Sequence, residues 1–316
     1  NSGVPVVVNG FFYGRASGMA PRARIAMYKA IYPTVGSLAD VLAAIDQAVL
    51  DGVDILTLSI GPDEPPEDTV TFLSAFEIFM LSAHKAGVFV AQAVGNQGPG
   101  PYTVVSYSPW TVGVAPVAQT ELIPALCPWR RSTYWWRWTV RSQFWERIAQ
   151  YKLIISQYYE EQTYRDEEGL VIRYSGRAAI GEGRIATYTE RAPTVSRFSS
   201  RGPDYVDQNK NPADVLKPDI LAPGHQIWAA WSPMSVDNPI LSGIAALIKQ
   251  INPSWSPSMM ASAMSTTATK YDNRGEPIMA EGFGAYIVPS RPIWFGAGLV
   301  DPIRALDPGL VFSTGN

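Results

Sequence analysis

Cysteine, histidine and charged residues are all scarce in this sequence. The single cysteine, Cys127, excludes a disulfide within the chain and a cysteine-rich zinc site. With only His84 and His225, a metal site built from several histidines is excluded as well, and we expect neither a metal nor another cofactor. Charged residues make up 17% of the chain and the net charge is −3, so no general attraction to nucleic acid or to an anionic membrane is expected.

Long apolar runs are also absent, since none reaches the roughly 18 residues that a membrane-spanning helix needs. Hydrophobic residues nevertheless make up 47% of the 316 residues, which is enough for a sizeable core and excludes a disordered chain. The length predicts one large α/β domain or two unequal domains. The sequence opens with Asn1 and lacks the charged and then apolar start of a signal peptide, so we expect a piece of a longer protein.

Apolar periodicity in the first third alternates between helices and strands. Apolar side chains recur at three- and four-residue spacing over residues 38–49, which predicts a helix that ends before Gly52. A second helix is predicted over residues 70–86, with Gly87 at its end. Short apolar runs predict buried strands, and strands joined by such helices run parallel, so the predicted fold class is an α/β doubly wound parallel sheet. The predicted strands are residues 24–28, 53–59, 88–94 and 111–115.

The composition changes sharply between residues 121 and 147. Five tryptophans and five arginines lie there without strand alternation or a clean helical face: Trp129, Trp135, Trp136, Trp138, Trp145, Arg130, Arg131, Arg137, Arg141 and Arg147. Three interpretations stay open: an irregular structural insert, a basic aromatic surface for single-stranded nucleic acid, or sequence not selected to fold here, such as translated non-coding DNA. We favour the last of these and expect no nucleic-acid partner.

The last third of the chain predicts two helices. One covers residues 244–250, and another begins at Ser256-Pro257, with the serine as N-cap and the proline in the first helical position. The buried stripe of the second helix is predicted to be Ala261, Met264 and Ala268.

Six stretches resemble the subtilisin-like serine proteases, and the plant subtilases in particular. They follow one another in the family's order, which makes the resemblance specific although each is short: Ala16–Pro21, Val94–Pro99, Phe198–Pro203, Lys217–Gly224, Asn252–Pro257 and Ala305–Val311. The resemblance implies a sheet of subtilisin type, incomplete at its N-terminal side. Residues 1–118 and 193–316 would be the two parts of the catalytic domain, the second with the start of a C-terminal region. Residues 119–192 form an irregular insert where plant subtilases carry a protease-associated domain, which they match poorly.

Peptide hydrolysis in this family requires an Asp, a His, a Ser and an oxyanion-stabilising Asn. The family's Asp and His segments precede the stretch at which this chain starts, so we expect both to be missing here. The nucleophile motif, Gly-Thr-Ser-Met-Ala followed by Pro-His, belongs between Ile240 and Ile244, where Leu241-Ser242-Gly243 runs directly into Ile244. The resemblance thus implies that a helical turn or more is missing together with the serine. Ser242 is interpreted as a helix N-cap.

Asn96 is the one catalytic residue of the family that has a match in this chain. The resemblance implies that it is an oxyanion-hole candidate, because an Asn amide offers N–H donors to a developing oxyanion. The structural alternative is a polar residue that ends a strand and bonds its own turn. The pocket for the substrate residue before the scissile bond, at the carboxyl ends of two consecutive predicted strands, would be lined by Ser59, Ile60, Gly61, Val94 and Gly95.

The remaining polar candidates have structural interpretations. His84 suits the negative end of the second predicted helix, and His225 is expected in a loop after Ala222-Pro223-Gly224. A solvated turn, rather than a calcium site, is predicted for the acidic residues Asp63, Glu64, Glu67 and Asp68.

Two functional hypotheses follow. The first is that the intact protein is a serine endopeptidase with peptide or protein substrates, located in the extracellular space or the vacuole as its family is, and that this chain is inactive because it lacks the triad. The alternative is a non-catalytic, peptide-binding pseudoprotease. Neither nucleic acid nor a membrane is expected as a partner, and the oligomeric state stays open.

Overall fold

The computed structural model describes residues 2–8, 11–32, 36–61, 70–118, 123–126, 135–138, 156–176, 191–207, 209–225, 227 and 243–313. By their contacts the residues group into two units. The first combines Asn1–Gln119 with Arg191–Asn316, and the second is Thr120–Glu190.

The strands are β1 (Val4–Val8), β2 (Phe11–Ala16), β3 (Ile55–Leu58), β4 (Phe89–Ala93), β5 (Val112–Ala118), β6 (Ile123–Leu126), β7 (Trp135–Trp138), β8 (Thr163–Arg165), β9 (Val171–Tyr174), β10 (Thr194–Val195), β11 (Ile220–His225), β12 (Met279–Glu281) and β13 (Ile287–Pro289). The helices are α1 (Leu38–Leu50), α2 (Ala75–Lys85), α3 (residues 156–161), α4 (Gly243–Ile251), α5 (Pro257–Thr267), α6 (Pro292–Phe295) and α7 (Pro302–Leu306). Short 3-10 turns cover Thr71–Leu73 and Phe283–Ala285.

A mainly parallel sheet of seven strands forms the centre of the first unit. Strands β3, β4, β5 and β11 are parallel to one another. One edge of β5 pairs with β11, and the other pairs first with β4 and then, antiparallel, with β10. The sheet continues through β12 to β13. Strands β1 and β2 form a separate antiparallel hairpin.

Helices cover both faces of this sheet. Successive side chains of a strand point to opposite faces, so one strand packs against helices on both sides. Phe89 and Ala91 of β4 pack with Ile220 and Ala222 of β11 against α4 and α5. Val90, between the first two, packs against α1 and α2 on the other face. The doubly wound parallel sheet predicted from the sequence is therefore confirmed.

Serine side chains set where three helices begin. The Oγ atoms of Ser37, Ser74 and Ser256 accept first-turn N–H groups of α1, α2 and α5 at 3.4, 3.3 and 3.3 Å. Gly52 and Gly87 follow α1 and α2 with φ of +74° and +89°, a left-handed conformation that glycine adopts without strain. The two predicted helices are found, although α2 starts only at Ala75, after a 3-10 turn.

The buried stripe predicted for α5 is only partly right. Ala261 and Ala268 are half-buried, because they pack at the margin of the core between α5 and the sheet. The most deeply buried positions of the helix itself are Met260, Ala263, Met264 and Thr267.

Residues 24–28 are not the strand that the sequence predicts. They have no regular secondary structure and no ladder partner among the described strands, and Ile25 and Met27 are 82% and 85% exposed. Tyr28 packs partly against the core near α1, where its hydroxyl donates to Asp51 Oδ2 at 2.6 Å. An apolar run joins a sheet only where a neighbouring strand offers free N–H and C=O groups, which explains the wrong prediction.

The described residues of the second unit form two hairpins and a short helix. β6 pairs antiparallel with β7 inside the tract rich in tryptophan and arginine, and β8 pairs antiparallel with β9. Tyr159 of α3 packs against Tyr174 of β9, with ring centroids 5.6 Å apart. Most of that tract, with Cys127, lies outside the described residues.

Candidate active site

Two loops leave neighbouring strands at the carboxyl edge of the sheet. Leu58 of β3 lies opposite Gln92 of β4 in a parallel register, so the residues after both strands meet at that edge. We call residues 59–61 and 94–96 the cleft loops. Ser59, Gly61 and Asn96 are exposed in them. The structure therefore brings together all six residues that the sequence singles out: Ser59, Ile60, Gly61, Val94, Gly95 and Asn96.

Val105 joins the two cleft loops. Its N–H donates to the carbonyl of Val94 at 3.0 Å. Its Cγ2 atom lies 3.1 Å from the position that a β-carbon would take at Gly61, and 3.0 Å from the corresponding position at Gly95. A side chain at either glycine would therefore crowd Val105, and at Gly95 it would also lie 2.8 Å from Ser200 Oγ. Val105 is thus a wall shared by both loops, and the two glycines allow its close approach.

Ser200 holds the turn that carries Asn96. Its N–H donates to the carbonyl of Gly95 at 3.1 Å, and its Oγ accepts the N–H of Gln97 at 3.2 Å. These two bonds fix the backbone on either side of Asn96, whose side chain remains exposed. A primary amide on a fixed backbone can offer its N–H groups to a ligand at this edge of the sheet.

Buried hydrogen bonds support the wall from behind. Gln92 Nε2 donates to the carbonyl of Val105 at 3.5 Å, and Gln92 Oε1 accepts the hydroxyl of Thr111 at 3.1 Å. The carbonyl of Thr111 accepts Lys217 Nζ at 2.7 Å, and the same ammonium donates to Asp219 Oδ2 at 2.5 Å. The segment that carries Val105 is therefore tied to β4 and to the start of β11.

The two histidines contact other parts of the domain. His84 lies in the last turn of α2, as predicted, but burial lowers its pKa and outweighs the hydrogen bond to the backbone of Trp110 that favours the charged ring. His225 ends strand β11 and is not in a loop, because β11 continues along β5. Its Nδ1 lies 3.3 Å from Ser196 Oγ, and its ring packs edge to face against Phe198.

Helix α4 begins at Gly243, next to the stretch where the nucleophile motif is expected from the sequence. A β-carbon at Gly243 would lie 2.6 Å from Met19 Cβ, so the helix starts in close contact with the segment that follows β2. The helix continues at once into Ile244 and Ala245, which are buried against the sheet. No Gly-Thr-Ser sequence occurs anywhere in the 316 residues. Some predicted positions lie outside the described residues: Ser242, Asp63, Glu64, Glu67 and Asp68.

The described residues contain no group of three or more His, Cys, Asp or Glu side chains that could hold a metal ion. In that same part of the chain, no helix is long and apolar enough to cross a membrane.

Comparison with known proteins decides the family. The sequence profile of the subtilase family, Peptidase_S8, matches residues 6–285. The chain belongs to the subtilase family. This subtilase is similar over its whole length to two proteins of Arabidopsis thaliana. It is 43% identical to subtilisin-like protease SBT2.4 over 437 aligned positions, and 35% identical to subtilisin-like protease SBT2.5 over 436 positions.

The subtilase chain spans about half the length of these relatives, 52% of SBT2.4 and 54% of SBT2.5. Its alignment with SBT2.4 has 437 positions against 316 residues, a difference of 121 positions at which the relative has residues and this chain has none. Among solved structures, the chain is similar to the prenylagaramide maturation protease PagA. Sequence identity is 19%, the TM-score is 0.48, and 94% of this chain and 77% of that one are covered.

Val105 and Ser200 are residues of the site that the sequence does not predict. Ser200 lies inside the Phe198–Pro203 stretch, so the family motif itself is a signal that could have found it. Val105 lies in none of the six stretches, and its contacts with Gly61 and Gly95 exist only in the folded chain.

Proposed function

We propose that the intact protein is a serine endopeptidase of the subtilase family and that the 316-residue chain by itself does not hydrolyse peptide bonds. The observation that carries the second part is the direct junction of Gly243 with Ile244, where α4 begins without the Gly-Thr-Ser segment. Attack by serine requires an accessible hydroxyl next to a base. A serine–histidine contact does occur between Ser196 and His225, but Ser196 is completely buried and out of reach of a polypeptide.

The residues that remain would form the binding half of the site. By resemblance to the family, residues 59–61 and Val94-Gly95 hold the substrate residue before the scissile bond, and Asn96 stabilises the oxyanion. Their position at the carboxyl ends of adjacent parallel strands supports these roles. Donors to an oxyanion have nothing to stabilise when no nucleophile forms the tetrahedral intermediate, so acyl transfer is not expected.

Hydrolysis of a panel of peptide esters by the purified chain tests the proposal. We expect the hydrolysis product to be released no faster than in buffer alone, at acidic and at neutral pH. A serine-directed phosphonate should have no effect on this rate. A commercial subtilisin in the same assay is the positive control. Turnover that the phosphonate abolishes would show that the chain contains a working nucleophile, and the proposal would be wrong.

A second candidate function is peptide binding without catalysis. The cleft loops favour it, because Val105 and Ser200 hold them without help from the nucleophile segment. A peptide that binds the folded state should raise the midpoint of thermal unfolding, and the rise should grow with the logarithm of the free peptide concentration once that exceeds Kd. The substitution Gly61→Val, which crowds Val105, should remove that rise. Gly100→Ala is the matched control, since a β-carbon there meets no atom within 4 Å. A midpoint that no peptide moves counts against this candidate.

Further assignments follow from the family and are proposals of the same kind. Residues 119–192 would stand at the position of a protease-associated domain. The protein would be exported to the extracellular space or the vacuole, where its substrates would be peptides or proteins. Detecting peptides of this chain in extracellular fluid, and their absence from purified vacuoles, would separate the two compartments.

A further inference from the structure

Four segments of the first unit meet around a buried group of charged side chains. Helix α2 contributes Glu77, the segment after residue 203 contributes Asp204, and the approach to β11 contributes Lys217; all three are buried. The fourth segment, residues 103–111, carries the cleft wall Val105. The hydroxyl of Ser108 in this segment donates to Glu77 Oε2. The charged group is therefore in direct contact with the segment that carries the cleft wall.

The charges in this group do not balance if both acids are ionised. Lys217 is already paired with Asp219, whose carboxylate also accepts the N–H of Gly113 at 2.6 Å. The other buried cation, Arg201, donates to the carbonyls of Ser196 and Glu281 and lies over the ring of Trp294. No ion pair to either acid occurs among the described residues.

Each of the two acids also has one oxygen without a hydrogen-bond partner, Glu77 Oε1 and Asp204 Oδ2. A buried carboxylate without a cation and with an unpartnered oxygen is strongly unfavourable, so such a group keeps its proton. Burial raises the pKa of Glu77 to about 7, and it outweighs the lowering effects of Ser108, Lys217, Gln92 and the backbone of Tyr107. Burial, with smaller contributions from the nearby Glu77 and Asp219, raises the pKa of Asp204 to about 7, against the lowering effects of the Tyr205 N–H and of Lys217.

We propose that Glu77 and Asp204 form a pH-sensitive latch, which holds residues 103–111 and the cleft wall in place while both carboxyls are protonated and loosens them when the protons are lost. The two acids are mechanically linked. Thr71, just before α2, donates through its hydroxyl to the carbonyl of Tyr205 at 2.9 Å and through its N–H to that of Val206 at 2.8 Å. If both carboxyls lose their protons, their two negative charges repel each other, and the hydrogen bonds of Thr71 connect the segments that carry them.

Other titratable groups that face the latch do not replace it. Tyr107 and Tyr205 pack edge to face beside it, and burial raises the pKa of both, so they stay neutral. Lys217 and Asp219 neutralise each other. His84 lies two turns further along α2 and bonds to the backbone of Trp110. The latch concerns the fold of the chain, and it holds whether or not the cleft binds or hydrolyses peptides.

The direction of the pH effect follows from the proton count. In the folded chain both acids keep their protons up to about pH 7, whereas in the unfolded chain they lose them near pH 4. Between these values the folded state binds more protons than the unfolded state. The latch therefore contributes its full stability below about pH 4, and this contribution falls as the pH rises from there through about 7.

Chemical unfolding of the chain as a function of pH tests the proposal. The equilibrium constant for unfolding is expected to rise about 100-fold or more between pH 5 and pH 8 in the wild type. The substitutions Glu77→Gln and Asp204→Asn should each remove part of this rise, and the double variant most of it. Asp46→Asn, at an exposed acid of α1, is the matched control and should keep the wild-type curve. A wild-type curve that is flat or slopes the other way would overturn the latch.

Hydrogen exchange distinguishes a local loosening of residues 103–111 from a general loss of stability. After correction for intrinsic rates, the amides of residues 103–111 should open more often at pH 8 than at pH 5, and those of α5 much less so. If the variants do not fold, infrared spectra of the wild type decide. Two buried carboxylic-acid bands that persist at pH 6 support the proposal, and their absence contradicts it.

Discussion

At the scale of single residues, Gly61 and Gly95 allow the side chain of Val105 to pack closely against both cleft loops. Gly95 has φ of +105°, which is unfavourable for any residue with a β-carbon. A β-carbon there would lie 2.8 Å from Ser200 Oγ and 3.0 Å from Val105 Cγ2. Both neighbours are themselves fixed by hydrogen bonds, so neither can move without disturbing the turn around Asn96.

Gly95→Ala is therefore expected to lower the free energy of unfolding by about 2–3 kcal/mol, from backbone strain together with overpacking. Gly100→Ala, in the same loop but facing open space, should change it by less than about 0.5 kcal/mol. Chemical unfolding of both variants beside the wild type measures the difference. Equal losses in the two variants would mean that the close contacts at Gly95 do not exist in solution.

The sequence predicts the position of the cleft loops but not what holds them. Asn96 and residues 59–61 could be found because the carboxyl ends of parallel strands meet at one edge, which depends on chain order alone. The partnership of Gly95 with Ser200, and of Thr111 with Lys217, joins residues about a hundred positions apart. No local periodicity reports such contacts.

At the scale of elements, the ends of helices are set by single polar side chains. Ser256 Oγ accepts the N–H of Met259 at 3.3 Å, and Pro257 occupies the first helical position of α5. The helix packs its buried face against the sheet and α4, so its start fixes the position of part of the main core.

Ser256→Ala should destabilise the chain by about 0.5–2 kcal/mol through loss of this cap. Ser254→Ala, at an exposed serine two residues earlier, is the matched control and should have little effect. The midpoint of urea unfolding, with an unchanged slope, is the measurement. A variant as stable as the wild type would show that proline and packing alone define this helix start.

Helices with a strong apolar periodicity and a glycine just after their end can be predicted from the sequence. One short apolar run is predicted wrongly. Leu38–Leu50 and Ala75–Lys85 each have an apolar face and a following glycine, and β3, β4 and β5 lie between them and beyond. Residues 24–28 have the composition of a buried strand but no strand to pair with, so Ile25 and Met27 face solvent. A segment forms a strand only when a second segment pairs with its backbone, and the composition of the first segment does not report that partner.

At the scale of the whole molecule, the chain has the mainly parallel sheet expected of its family but no Gly-Thr-Ser sequence. The helices on both faces and the cleft loops at the carboxyl edge are present. The alignment with SBT2.4 nevertheless includes 121 more positions than this chain has residues, and Gly243 leads directly into Ile244. We therefore expect that the part of the site that binds a substrate segment can be present without the part that cleaves it.

The proposal that the 316-residue chain does not hydrolyse peptide bonds is best tested by its turnover of the peptide-ester panel, with and without a serine-directed phosphonate. We expect no turnover above buffer and no mass increase of the chain by one phosphonyl group. Phosphonate-sensitive turnover, together with a single phosphonylated serine in the folded chain, would contradict it.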